Sequence, residues 1–173
     1  MYSGILVCGL NGAGKTTFAR ELAGLLGYRH MDIEQYAFAP SELPYAAPRT
    51  REETHGLMLA DMEKFPRFVL STVGGGLSEA IIGRLDLVIY LDAPLDIRLQ
   101  RVRHRALDRF GDRMLPGGDM YEQEQQFFDF VSGRSQTSVA EWVETLPCPV
   151  LRLDGTRDYR EAAKALVFGA QGW

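Results

Sequence analysis

The sequence predicts an α/β fold in which a five-stranded parallel sheet lies between two layers of helices. Two observations support this prediction: short apolar runs of strand length alternate with segments of helical period, and the runs are apolar almost throughout. Residues 68–70 (FVL) and 87–91 (LVIYL) show the continuity typical of parallel strands that are covered on both faces. A chain of 173 residues has the length of one domain, so residues 1–173 are expected to form a single unit.

The order of the predicted elements is that of repeated βα units. The first helix is predicted at residues 15–26, where Phe18 and Leu22 share one side and Gly27 supplies the C-terminal stop. The last helix is predicted at residues 160–168. The five predicted strands cover residues 4–8, 28–31, 67–72, 86–91 and 149–153.

The helices between these elements are predicted from their start signals. Thr50 and Glu53 form a capping box ahead of one helix. Pro94 occupies the N1 position of the next, where its missing amide proton costs nothing. Asp119 with Glu122 gives a similar start signal ahead of a phenylalanine-rich stretch.

Two segments show no regular period, at residues 37–48 and 103–118. The first contains three prolines, and the second is rich in arginine, glycine and aspartate. Long irregular segments inside a compact domain are usually functional. We therefore expect an acceptor-binding segment within residues 33–64 and a mobile lid within residues 103–121.

Composition narrows the class of protein. A net charge of −4 with 46% hydrophobic residues is typical of a globular protein with a small-molecule ligand, and it argues against nucleic acid as a partner. No apolar run is long enough to span a membrane, and the first residues do not form a signal peptide, so a cytoplasmic protein is expected. Cys8 and Cys148 lack metal-ligand spacing and are expected to be reduced thiols. A monomer or weak homodimer is expected.

The first motif is GLNGAGKT, which follows the first predicted strand and opens the first predicted helix. In a P-loop, glycines turn backbone amides toward a phosphate, the lysine reaches the β and γ phosphates, and the threonine hydroxyl binds Mg²⁺. The alternative is a glycine turn with a surface lysine. The predicted nucleotide-binding residues are Gly9, Asn11, Gly12, Ala13, Gly14, Lys15, Thr16 and Thr17.

Asp32 and Glu34 follow the second predicted strand, at the edge where open α/β sheets bind ligands. A carboxylate there can organise Mg²⁺ or accept the proton of an incoming hydroxyl. We predict that Asp32 acts in one of these two roles and that both residues contact the acceptor. The alternative is that they form an ordinary acidic helix start.

Three glycines, Gly74, Gly75 and Gly76, follow the third predicted strand, where their backbone allows a ligand to approach closely. A flexible turn is the alternative. This strand lacks the terminal aspartate of a Walker B motif, so Mg²⁺ is expected to depend on Thr16 and Asp32. That absence argues against a motor ATPase.

An arginine cluster follows the fourth predicted strand. Three of its members share one helical face by their spacing. Positive charge of this kind suits a lid that clamps a transferring phosphoryl group. The alternative is a solvated helix face paired with neighbouring aspartates. The cluster contains Arg98, Arg101 and Arg105 on the shared face, followed by Arg109 and Arg113.

With these motifs the chain resembles the nucleoside-monophosphate-kinase group of P-loop kinases, which includes adenylate, shikimate and gluconate kinases. The resemblance implies a three-layer P-loop NTPase fold that uses ATP and Mg²⁺. The carboxylate pair after the second strand and the triple glycine are similar to shikimate kinase. In that family an arginine in an Arg-x-x-Glu arrangement helps to bind the acceptor, and Arg49 with Glu52 resembles this arrangement. A family arginine that packs on adenine corresponds in position to Arg101.

The chain also departs from that family. The family's short lid with an Arg-Pro pair is replaced by the longer segment 105–121, and residues 37–48 differ from the family's acceptor-binding sequence. Shikimate itself is therefore not the expected acceptor. Arg49 and Arg51 favour an anionic acceptor such as a carboxylate. A nucleoside or nucleotide acceptor is the alternative.

The resulting hypothesis is an ATP- and Mg²⁺-dependent kinase of a small metabolite. Lys15 holds phosphates, Arg105, Arg109 and Arg113 close over the transferring group, and Arg101 with Thr156 frames adenine. The rival hypothesis is a nucleotide-dependent switch or ATPase without an organic acceptor. The two differ in whether phosphate is transferred to an organic molecule or only to water.

Overall fold

The computed structural model describes residues 2–41, 46–135 and 137–169. Its centre is a five-stranded, all-parallel sheet with strand order β2-β3-β1-β4-β5. The strands are β1 (Gly4–Cys8), β2 (Arg29–Asp32), β3 (Phe68–Thr72), β4 (Leu87–Asp92) and β5 (Val150–Asp154). The predicted α/β class, the strand number and the parallel arrangement are confirmed. Four strands are shifted by one residue at one or both ends, while β1 has the predicted bounds.

Helices connect these strands and cover both faces of the sheet. A short 3₁₀ turn (Gly111–Met114) separates two of them. The helices are α1 (Lys15–Leu26), α2 (Ile33–Ala37), α3 (Arg51–Lys64), α4 (Glu79–Ile82), α5 (Leu95–Phe110), α6 (Tyr121–Gly133), α7 (Ser138–Val143) and α8 (Tyr159–Phe168). None of the helices within the described residues has the length and apolar character that membrane crossing requires.

Side chains that alternate along β1 fill two separate cores. Ile5 and Val7 belong to the core that α1 and α8 cover, with Phe18 and Leu22 among its buried members. The alternate β1 residues belong to a second core that includes buried residues of α3 and α7. Since β1 contributes to both cores, its C-terminal end and the loop that follows are firmly placed.

A third, smaller core joins α5 to α6 beside the sheet. Val102 and Ala106 of α5 pack with Met114 and Phe128. The predicted irregular segment at 103–118 is therefore wrong in its first half, because α5 continues to Phe110. The buried face of α5 is narrow, and the arginines on both sides of this face obscure the apolar helical period in the sequence.

Two predicted helix starts also need correction. Pro94 is the N-cap of α5 rather than its first residue. Helix α6 begins after Met120 without a side-chain cap. Asp119, predicted to cap it with Glu122, instead accepts hydrogen bonds from Arg113. The capping box of Thr50 and Glu53 is present as predicted.

The segment predicted as irregular at 37–48 is only partly described. Phe38 and Pro48 form an antiparallel bridge, so the segment returns on itself between α2 and α3. Residues 42–45 of the predicted acceptor segment lie outside the described residues.

Candidate active site

The loop after β1 has the backbone geometry of a phosphate cradle. Gly12 and Gly14 adopt φ angles of +83° and +98°, which favour glycine. Gly14 is the N-cap of α1, and no side chain caps the helix. The first amides of α1 therefore face the loop without a carbonyl from a preceding turn, and the helix dipole adds positive potential there.

Lys15 lies at the first position of α1 and folds back over the loop. Its Nζ donates a 3.0 Å hydrogen bond to the carbonyl oxygen of Leu10. The pKa of Lys15 is lowered from 10.5 to about 8, mainly by burial and to a smaller extent by the charge of Arg105, against the opposite effect of Glu34. The ammonium is thus poorly solvated and suited to an anionic partner.

Thr16 and Asp32 connect α1 to the end of β2. The Thr16 hydroxyl donates a 2.9 Å hydrogen bond to Oδ2 of Asp32. The other oxygen, Oδ1, accepts a 3.2 Å bond from the amide of Glu34 and caps α2. Asp32 therefore combines the predicted site position with the alternative role of a helix start.

The oxygens of Thr16 and Asp32 suit Mg²⁺, which prefers hard oxygen ligands. Because the Thr16 hydroxyl donates its hydrogen bond to Asp32, the lone pairs of its oxygen remain available to a cation. A group of three or more His, Cys, Asp or Glu that could hold a metal is absent from the described part of the chain. A metal here would thus need nucleotide or water oxygens to complete its coordination.

Two arginines of α5 support the loop from behind. Arg98 is buried, and it donates to the carbonyl oxygens of Ala93 at 3.0 Å and Asn11 at 3.2 Å. Arg101 donates to the carbonyl oxygen of Gly12 in the P-loop at 3.4 Å and to that of Gly155 at 2.8 Å. The shared face predicted from their spacing is thus directed at the P-loop, with Arg98 holding the backbone.

A first cavity of about 350 Å³ lies beside the P-loop and α1. Arg101 and Tyr159 line it. Thr156, predicted to frame adenine, does not line it; its hydroxyl donates a hydrogen bond to Asp154, which does. The P-loop side of the lining is formed by Gly12, Ala13, Gly14, Lys15, Thr16 and Thr17.

A second cavity of about 280 Å³ lies between the P-loop, the start of α2, α5 and α6. Asn11 and Glu34 line it, together with Arg105 and Arg109. Arg105 lines the first cavity as well. The structure thus places two of the three predicted lid arginines beside the loop.

Arg113 lies elsewhere. It forms an ion pair with Asp119 at 2.6 Å, on the exposed surface beyond α5. It lines neither the first nor the second cavity. In this conformation Arg113 does not join the phosphate site.

Two arginines predicted to bind the acceptor make contacts within the protein. Arg49 donates to the carbonyl oxygens of Tyr36 and Phe38, at 2.9 and 2.8 Å, so it fastens the end of α2. Arg51 lies near Gly76, where a Cβ would be 3.6 Å from its guanidinium.

The triple glycine is constrained by packing as well as by its turn. A Cβ on Gly74 would lie 3.0 Å from the Trp142 ring, while one on Gly75 would meet nothing within 4 Å. At Gly74 the close approach of α7 also requires the absence of a side chain. The proximity of Gly76 to Arg51 leaves that pair as an acceptor-binding prediction.

Sequence reasoning missed two residues near the site. Arg134, after α6, donates to Oδ1 of Asn11 at 3.3 Å, and no local pattern indicates it. Glu124 is only 7% exposed and lines the second cavity. A signal for Glu124 exists, since it shares the spacing of the buried residues Phe128 and Val131 of α6.

Comparisons with known proteins agree with the fold and with a P-loop protein. A family profile described as an AAA domain matches residues 5–112. The uncharacterized protein YqaC of Bacillus subtilis (strain 168) is 30% identical over 162 residues, which cover 89% of each chain. A shikimate kinase of Neisseria meningitidis serogroup C (strain 053442) is 33% identical over 109 residues, covering 57% of this chain and 64% of the kinase.

A solved shikimate kinase from Bacteroides thetaiotaomicron has the same fold, with a TM-score of 0.59 and 20% identity over 94% of each chain. This chain matches slightly less than two thirds of the length of the Neisseria shikimate kinase. These likenesses identify the fold and the kinase-like P-loop group, and they leave the acceptor open.

Proposed function

Because this chain belongs to the AAA domain family and is similar to P-loop kinases of the nucleoside-monophosphate-kinase and shikimate-kinase group, we propose that it is an ATP-dependent kinase of a small metabolite. The observation that carries the proposal is the position of the P-loop and Arg105 between two cavities. A donor in one cavity and an acceptor in the other would meet at Arg105, which lines both, with Lys15 on the side of the donor. A switch or ATPase without an organic acceptor would require only the first cavity.

The first cavity is proposed to hold ATP. The amides at the start of α1 and the Lys15 ammonium bind its β and γ phosphates. Arg101 and Tyr159, which line the same cavity, frame the adenine ring. Thr156 contributes through the turn that it forms with Asp154 rather than by direct contact.

Mg²⁺ is proposed to bind at the Thr16 hydroxyl, with Asp32 orienting that hydroxyl through the hydrogen bond between them. When bound, the ion would neutralise charge on the phosphates. By accepting the Thr16 hydrogen bond, Asp32 leaves the lone pairs of that hydroxyl to a cation, and its negative charge adds to the affinity for one.

The acceptor is proposed to bind in the second cavity with its hydroxyl toward Lys15. The hydroxyl oxygen forms a bond to the γ phosphorus as the bond from that phosphorus to the bridging oxygen breaks, and ADP leaves. Asp32 or Glu34 accepts the hydroxyl proton. Arg105, which makes no ion pair within the described residues, stabilises the charge on the transferring group.

The test is transfer of label. The protein is incubated with Mg²⁺, γ-labelled ATP and a pool of small hydroxyl compounds, and labelled products are separated from free phosphate. Label in an organic product supports the kinase, whereas label in phosphate alone favours the rival ATPase or switch.

A matched pair of variants tests the site. Lys15→Ala should abolish transfer, because it removes the ammonium that reaches the phosphates. Lys164→Ala, which changes an exposed lysine of α8, should transfer at the wild-type rate. Unimpaired transfer by Lys15→Ala would refute the assignment of this site.

A further inference from the structure

One carboxylate in the second cavity is not used by the proposed transfer. Glu124 of α6 is only 7% exposed, and its side chain lines the cavity. In the described ranges it has neither a hydrogen-bond partner for its carboxylate nor an ion pair within 4 Å. The carboxylate oxygens open onto the cavity rather than being sealed in the core, so a ligand bound there can supply the hydrogen-bond donors that the protein does not.

The rest of the lining indicates the shape of that ligand. Phe38, Phe110 and Phe127 contribute three aromatic side chains to the second cavity. Aromatic walls pack well against a flat ring. The cavity therefore combines apolar faces with a carboxylate that needs hydrogen-bond donors.

The charges of the cavity disfavour an acid. Glu34 and Glu124 both line it, opposed by Arg105 and Arg109. Arg105 also lines the ATP cavity, where the transferring phosphate would engage it. With Arg105 committed to that phosphate, an acid in this cavity would face the negative charge of Glu124 as well as the positive charge of Arg109.

We propose that Glu124 determines the acceptor, selecting an uncharged hydroxyl compound whose flat ring carries N–H donors, as a nucleoside does, and rejecting carboxylic acids. The donors of the ring bind the Glu124 carboxylate, while the ring packs against the phenylalanines and the hydroxyl faces Lys15. This inference rests on the proposed kinase function, and it replaces the anionic acceptor predicted from Arg49 and Arg51.

The test compares adenosine and cytidine with shikimate and gluconate as acceptors in the labelled-ATP assay. Wild-type protein should use a nucleoside with kcat/KM at least tenfold above that for either acid. Glu124→Gln should raise the nucleoside KM at least tenfold with little change in kcat. The ratio of kcat/KM for a nucleoside to kcat/KM for an acid should therefore fall. Glu122→Gln, an exposed change on the same helix, is the matched control and should keep wild-type values.

Binding is measured separately from turnover. Adenosine or cytidine should raise the melting temperature of wild-type protein and of Glu122→Gln, and it should raise that of Glu124→Gln much less. Label transferred best to an acid would overturn the inference and leave the kinase proposal intact. Label found only in free phosphate would refute the kinase, and the melting shifts would still decide whether Glu124 binds nucleosides.

Discussion

The Thr16 hydroxyl donates a 2.9 Å hydrogen bond to Oδ2 of Asp32, joining the first turn of α1 to the end of β2. Oδ1 of the same carboxylate caps α2 by accepting the amide of Glu34 at 3.2 Å. One side chain thus orients a proposed metal ligand and fixes the helix that follows. A substitution at Asp32 can separate the two roles.

Asp32→Asn should separate the capping role of Asp32 from its proposed role in catalysis. Asparagine caps helices about as well as aspartate and can still accept a hydrogen bond, so the melting temperature should change little. The negative charge is lost, and with it the proposed base or cation-orienting group, so kcat should fall by roughly 10²-fold or more. Steady-state kinetics and thermal melts of both proteins check this. Wild-type kcat in a folded Asp32→Asn protein would leave Asp32 with the capping role alone.

Lys15 makes nucleotide binding depend on pH. Its pKa of about 8 in the free protein lies below the ordinary value because the ammonium is buried. Phosphate favours the charged form, so binding should take up a proton as pH rises through 8, and affinity should fall above that pH. Calorimetry at high pH in two buffers of different ionisation enthalpy measures the uptake. Lys15→Arg, which stays charged, should show none at this position.

Two glycines offer opposite tests of backbone geometry. Gly12 has a φ of +83°, and a Cβ there would lie 2.4 Å from the carbonyl oxygen of Arg98. Gly12→Ala should therefore reduce the free energy of unfolding by at least ~1 kcal/mol and weaken ATP binding. Gly24 lies within α1, and its Cβ would meet nothing within 4 Å. Gly24→Ala should stabilise the fold by about 0.5–1 kcal/mol.

Denaturant unfolding and ATP titration of both glycine variants measure these effects. Gly24→Ala is the control, since it adds the same methyl group without strain. Equal stabilities for the two variants would contradict the tight contact between the P-loop and α5.

The P-loop could be predicted from the sequence because its requirements are local. Glycine, lysine and threonine act at fixed positions between a strand and a helix, and β1 and α1 have the predicted bounds. The carboxylate after β2 was predictable for the same reason, because parallel strands end at one edge.

The second cavity could not be predicted in the same way. It depends on how α6 packs against α5, and that contact joins Val102 and Phe128 across a long separation in sequence. The burial of Glu124 follows from this packing. Arg49 was predicted to bind the acceptor, but its partners are the Tyr36 and Phe38 carbonyls, which no residue pattern reveals.

Arg49 should consequently act on stability more than on chemistry. Arg49→Ala removes two hydrogen bonds to backbone carbonyls at the end of α2, so the free energy of unfolding should fall by about 1–3 kcal/mol. Arg51→Ala, near Gly76, should leave stability nearly unchanged. Denaturant unfolding of the two variants checks this, and equal losses of stability would contradict the assignment.

The arginines of α5 and its C-terminal extension should differ sharply in their effect on transfer. Arg105 lines both cavities without an ion pair in the described residues, whereas Arg113 is held by Asp119 at 2.6 Å. Arg105→Ala should reduce kcat by roughly 10³-fold, the scale of a lost phosphate-stabilising arginine. Arg113→Ala should reduce it less than tenfold. Arg103→Ala, an exposed change on α5 facing Phe128, should have no effect on kcat.

Single-turnover transfer with saturating ATP measures these three variants on a common scale. It isolates the chemical step from product release, where a lid acts as well. An equal loss in Arg105→Ala and Arg113→Ala would mean that Arg113 leaves Asp119 and closes over the transferring group. In that case Asp119→Asn, which weakens the ion pair, should speed closure and raise the transfer rate.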